Sequence, residues 1–291
     1  MYQNALYTAI LTPLDQNGRL ALEMMPALLE FQRAAGIDGV VVCGTNGEGT
    51  SLSVAERMKT LDVVMEHRGS LSVIAGTGAT SVMDAIELTR HAAERGVEAS
   101  LLLPPFFFKQ PPVEGLAAYF LPILDEIDLP LLLYNIPQMT AVPITDPLLA
   151  RLADHPRLAG IKDSAGDWTR THELITKYPH LKTFAGSEYA AAKCLRAGGA
   201  GCISGGANAF PELLVAVRSA FQSGDASATD AAQSRLEEML NILVRYPFVG
   251  ASKSVLAHRG FPRMGVRPTL VSLSPTQEDA MIGEFKAAGL L

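Results

Sequence analysis

A chain of 291 residues with formal net charge -6, its charges of both signs interspersed, offers no basic stripe for nucleic acid and no polybasic tract for a membrane. That length suffices for one large core, and α/β barrels often reach it as single domains. The three cysteines, Cys43, Cys194 and Cys202, have no metal spacing and fit a reducing compartment better than a disulfide framework.

In chain order, short apolar runs at residues 5–11, 39–44, 71–76, 99–103, 130–135, 158–162, 182–186 and 200–204 read as buried strands. Amphipathic patterns at 24–35, 54–67, 81–94, 114–127, 146–153, 167–177, 189–197 and 211–222 read as the helices between them. Gly36, Gly69, Gly96 and Gly198 stand where left-handed caps would end helices, and Ser53 with Glu56 has the spacing of a capping box. Eight such units predict an all-parallel sheet covered by helices and closed as a (β/α)8 TIM barrel, with an open doubly wound sheet as the alternative. Ala9-Ile10-Leu11-Thr12-Pro13-Leu14 follows the first strand in place of a glycine-rich dinucleotide fingerprint. Beyond Gly224 the pattern turns to helices alone, at 227–245, 250–259 and 275–288. The expected organisation is therefore a barrel over 1–224 and a C-terminal helical extension over 225–291 packed on it. No run reaches the length of a membrane span and no signal segment opens the sequence, so a cytoplasmic protein is expected.

In a barrel the active site lies at the carboxyl ends of the strands. Leu158-Ala159-Gly160-Ile161-Lys162-Asp163-Ser164 is an apolar run that ends on a lysine. Lys162 either pairs with Asp163 or another carboxylate, or acts as a Schiff-base nucleophile whose free amine is favoured by desolvation. Tyr134 ends the neighbouring strand and would supply a phenol to shuttle protons through carbinolamine formation and dehydration; otherwise it is a barrel-lining tyrosine. The turn Gly44-Thr45-Asn46-Gly47-Glu48 suits capture of a carboxylate by backbone and side-chain donors, or is a plain capped turn. Glu48 itself is expected at a helix terminus or a subunit contact. Gly205-Gly206 could cradle a phosphate, although no basic residue accompanies them. Phe106-Phe107-Phe108 reads as pocket wall, oligomer contact or both. None of the six histidines falls at a strand end, which leaves no ligand set for a metal-assisted reaction.

Together with the turn 44–48, Leu52-Ser53 with Glu56-Arg57, Tyr134-Asn135-Ile136-Pro137, Gly160-Ile161-Lys162-Asp163-Ser164, Gly201-Cys202-Ile203-Ser204 and Lys253 in the tail resemble the dihydrodipicolinate synthase/N-acetylneuraminate lyase family. The resemblance implies a cofactor-free class I aldolase or lyase that condenses or cleaves pyruvate, assembled as a homotetramer or dimer. It implies that Lys162 forms the imine, Tyr134 relays protons, Thr45 and Asn46 hold the carboxylate, and Gly186 and Ile203 line the pocket through their backbones.

Three departures bear on the second substrate. The second threonine of the family's turn is Asn46 here, the tyrosine pair after the fourth strand is replaced within Phe106 to Phe108, and Met139 stands where synthases carry an arginine. Losing a relay hydroxyl at Phe107 and a bidentate cation at Met139 argues against the lysine-pathway synthase. The expected reaction is cleavage or formation of a 2-oxo acid aldol, for example a 2-keto-3-deoxy sugar acid, from a small 2-oxo acid and an aldehyde. The alternatives are 4-hydroxy-tetrahydrodipicolinate synthase, an imine-dependent dehydratase, and a 2-oxo-acid-binding barrel without turnover.

Overall fold

The computed structural model describes residues 3–291, and within it eight parallel strands close on themselves in sequence order. They are β1 (Ala5–Ala9), β2 (Gly39–Val42), β3 (Ser72–Gly76), β4 (Ala99–Leu102), β5 (Leu131–Asn135), β6 (Leu158–Asp163), β7 (Lys182–Ala185) and β8 (Gly201–Ser204). β1 pairs with both β2 and β8, which closes the sheet and excludes the open alternative. The connections hold α1 (Met25–Ala34), α2 (Val54–His67), α3 (Val82–Glu94), α4 (Val113–Glu126), α5 (Pro137–Thr140), α6 (Asp146–Leu152), α7 (Trp168–Lys177) and α8 (Ala191–Arg196). After β8 come α9 (Pro211–Gln222), α10 (Ala226–Leu243), α11 (Phe248–His258) and α12 (Pro275–Ala287). Among the described residues no helix is long and apolar enough to cross a membrane.

The strands are apolar on both faces because both faces are covered. Tyr7, Val41, Ile74, Leu101, Leu132 and Ile203 fill the barrel interior, while alternate residues such as Val40, Val42, Leu131 and Leu133 pack outward against the helices. Ser53 and Glu56 form the capping box of α2, each side chain taking the other residue's backbone N–H, a motif whose N-cap is worth about 1 kcal/mol. β1 stops at Ala9 rather than running on to Leu11, because the Leu11 N–H leaves the ladder to donate to Asn208 Oδ1 at 2.9 Å. The short helix α5 was not expected; Pro137 starts it, and Ile136 O accepts from both Met139 N and Thr140 N.

The tail is fixed to the barrel by apolar packing. Leu236, Met239 and Leu243 of α10 and Phe285 of α12 share a core with Phe210 and Leu214. The strap between α11 and α12 then crosses to the strand ends. There the Arg267 guanidinium donates to both oxygens of Glu56, at 2.8 and 2.5 Å, and to Ser51 O and Gly18 O.

Candidate active site

Tyr134 and Lys162 are register partners on β5 and β6, so both side chains point into the barrel near its carboxyl end. Lys162 is 4% exposed, and among the described residues its hydrogen-bond partner is Tyr134 Oη, at 3.2 Å. The same ammonium stands 4.3 Å from the centre of the Tyr134 ring. Asp163, next along the strand, faces the other way and is satisfied there: Oδ1 accepts from Asn135 Nδ2 at 2.7 Å and Oδ2 from Thr171 Oγ1 at 2.5 Å. The reading of Lys162 as the ion-pair partner of Asp163 therefore fails, for the geometric reason that neighbours on a strand occupy opposite faces.

Tyr134 Oη shares a second hydrogen bond with Thr45 Oγ1, at 3.2 Å, so the phenol links the amine to the turn after β2. Burial pushes this phenol's pKa up, but the Lys162 ammonium and the hydrogen bonds from Thr45 and Lys162 outweigh it and hold Tyr134 below its ordinary value. Glu48 meets half of the sequence expectation and adds a partner that the sequence did not announce. It does stand at a helix terminus, as N-cap of the 3-10 turn Gly49–Ser51, but it accepts from Lys253 Nζ at 2.5 Å and from Arg267 N at 2.7 Å, with its side chain out of water and not at an open surface. Its backbone is left-handed, with φ 55°, a conformation that needs such anchoring in a residue other than glycine. Burial pulls the Lys253 pKa down, and Glu48 opposes that shift without cancelling it.

Ser164, two residues past the lysine, buries its hydroxyl oxygen with no hydrogen bond of full geometry, yet it stands near enough to Tyr134 to help lower that phenol's pKa. A Cβ on Gly186 would lie 1.9 Å from that oxygen and 3.0 Å from Lys162 Cε, so only glycine leaves the amine room. Gly205 is constrained in the same way, by Asn46 Nδ2 at 2.2 Å. Gly205 and Gly206 form no phosphate cradle, since both N–H groups already donate to Glu188 Oε1, at 2.8 and 2.7 Å.

Thr45, Asn46, Tyr134, Lys162, Ser164 and Gly186 all line one cavity of about 770 Å³ at the barrel mouth. Met139 stands on its rim and also on a neighbouring cavity of about 230 Å³, which Phe106 and Cys43 line. Burial raises the Cys43 thiol to about 12, which suits a core residue and not a nucleophile. Two candidates lie elsewhere. Ile203 is inside the barrel with Tyr7 and Phe184 and does not line the large cavity, and Phe107 is 73% exposed, edge-on to Phe108. Sequence reasoning did not assign Ser164, whose signal was its place at the strand end. It also missed the tail's contribution to the cavity wall, which no local pattern announces.

A family model described as the dihydrodipicolinate synthetase family matches residues 3–288. An uncharacterized DapA-like lyase from Chloroflexus aurantiacus is 41% identical over 287 residues, covering 97% of this chain and 95% of that protein. Among solved structures, the chloride-inhibited dihydrodipicolinate synthase from Acinetobacter baumannii, complexed with pyruvate, superposes with TM-score 0.93 at 30% identity, with both chains covered in full. Proteus mirabilis N-acetylneuraminate lyase superposes with TM-score 0.91 at 25% identity, again over 100% of both chains.

Proposed function

The chain belongs to the dihydrodipicolinate synthetase family of aldolases and lyases, and from that premise we propose that it works through a Schiff base between Lys162 and pyruvate or another 2-oxo acid. The observation that carries the proposal is the placement of Lys162: a buried amine with a phenol at 3.2 Å and, among the described residues, no carboxylate pairing it. The solved synthase that holds pyruvate supports the choice of 2-oxo acid.

In this reading Thr45 and Asn46 receive the carboxylate, and Lys162, once its ammonium has given up a proton to solvent in the cavity, attacks the adjacent ketone carbon as the free amine. Tyr134 gives a proton to the oxygen as the carbinolamine loses water, and Thr45 closes the proton path toward the cavity. Removal of a C3 proton from the imine gives an enamine. Its C3 bonds to the carbonyl carbon of an aldehyde, whose oxygen takes up a proton. Water then hydrolyses the imine, returning the amine of Lys162 and releasing a 4-hydroxy-2-oxo acid; cleavage is the reverse. No cofactor enters these steps.

We place the protein in the cytoplasm, supported by three buried free cysteines, and as a homo-oligomer, tetramer or dimer, supported by the exposed Phe107–Phe108 edge. The test is deuterium exchange at C3 of pyruvate in heavy water, followed by NMR. Exchange catalysed by the native protein and lost in Lys162→Ala is expected; equal exchange in both would refute the role of Lys162.

A further inference from the structure

The cavity above Lys162 has two unlike ends. Hydroxyls and the Asn46 amide surround the amine, whereas an apolar stretch of the wall comes from Leu240 at the end of α10, Val244 just past it, Phe248 from the start of α11, Leu270 and Val271 from the strap, and Met139 from α5; Thr50, Ser51, Gln138, Ser187 and Thr269 line the same cavity with uncharged polar groups. Val244, Leu270, Val271 and Met139 are exposed, so the fold holds apolar surface in water at the entrance to its own site.

Charge is scarce along this wall. Among the described residues that line the cavity, Lys162 is the single cation. Both carboxylates there are engaged: Glu48 by Lys253 and the Arg267 N–H, and Glu188 through Oε1 by Ser204 Oγ and two backbone N–H groups. Tyr189 Oη donates to Asn241, and Gln138 Nε2 to Ser164 O. A charged aldehyde entering here would lose water without gaining a counter-ion. An alkyl or aryl tail would instead cover the exposed side chains and gain in proportion to the area removed from water.

We infer that the aldehyde condensed with the bound 2-oxo acid is uncharged and carries an apolar alkyl or aryl group seated against Val244, Phe248 and Leu270. This rests on the imine-forming reading above and narrows it, in place of the 2-keto-3-deoxy sugar acid expected from sequence. The bond formed joins C3 of pyruvate to the aldehyde carbon, the aldehyde oxygen gains a proton, and the product is a 4-hydroxy-2-oxo acid with an apolar substituent at C4.

The test measures kcat/KM of the native protein for condensation of pyruvate with benzaldehyde, hexanal, glyceraldehyde and aspartate semialdehyde. Benzaldehyde or hexanal is expected to exceed both others by about tenfold or more. Val244→Arg and Leu270→Arg, both at exposed positions, should each narrow or reverse the ratio of hexanal to aspartate semialdehyde. Equal or better use of glyceraldehyde or aspartate semialdehyde overturns the inference, as does failure with every aldehyde by a protein that still exchanges pyruvate at C3. Absence of that exchange overturns the imine reading and the inference with it.

Discussion

Lys253 Nζ and Glu48 Oε1 meet at 2.5 Å across 205 residues of sequence, with the two side chains 1% and 0% exposed. This contact ties the C-terminal helices to the turn that presents Thr45 and Asn46. Replacing Lys253 by Met leaves the Glu48 carboxylate buried and unpaired, which should cost about 3–5 kcal/mol of stability. The Glu48→Gln/Lys253→Met double variant, which buries no lone charge, should recover most of that loss. Urea unfolding of the three proteins checks it, and equal stability of the single and double variants would contradict it.

Tyr134→Phe removes the hydroxyl that Lys162 and Thr45 share and keeps the ring. Imine formation should slow by about 10²-fold or more while the folded protein elutes as before. Because the phenol's pKa lies below its ordinary 10.0, the rate of the native protein should fall as pH rises toward 10, and the variant should lack that alkaline limb. Stopped-flow kinetics of pyruvate addition across pH measures both.

Gly186→Ala puts a methyl 1.9 Å from Ser164 Oγ, 2.9 Å from Asp163 O and 3.0 Å from Lys162 Cε, so these groups must shift. Displacing the amine by even a fraction of an ångström misaligns the attack, so kcat/KM should drop by about 10²-fold. Circular dichroism should show the barrel intact. Full activity would mean that the amine has room the structure does not give it.

Acid stability should depend on Glu56. The Arg267 guanidinium, with help from Ser53, lowers the pKa of its carboxyl from 4.5 to about 2, so the folded state favours the ionised form. A depressed carboxylate stabilises above its unfolded pKa and loses that contribution as pH falls through its folded one. The stability gap between the native protein and Glu56→Gln should therefore be constant above about pH 4.5 and close between there and about pH 2. A gap that persists unchanged at pH 2 would show that Arg267 acts on the fold without the charge of Glu56.

The fold was legible because its signals are local. The strand Leu158–Asp163 announces itself by an apolar run, and α2 by the Ser53 and Glu56 cap, within a few residues. Alternation along that strand also contained the answer to the Lys162 question, since Asp163 could not share its face. The helix-terminus place of Glu48 was legible, but its partner was not, because Lys253 lies in α11 and pairings over such a distance leave no periodicity to read. The apolar rim escaped for the same reason: Val244, Leu270 and Val271 reach the cavity only through the packing of α10 and the docking of the strap by Arg267.

The central claim is the covalent one, and intact-protein mass spectrometry after incubation with pyruvate and borohydride tests it most directly. The native protein should gain the mass of one reduced pyruvate adduct, mapped by digestion to the peptide containing Lys162, and Lys162→Ala should gain none. A folded native protein without an adduct, or an adduct that survives in Lys162→Ala or maps to Lys253, would contradict it.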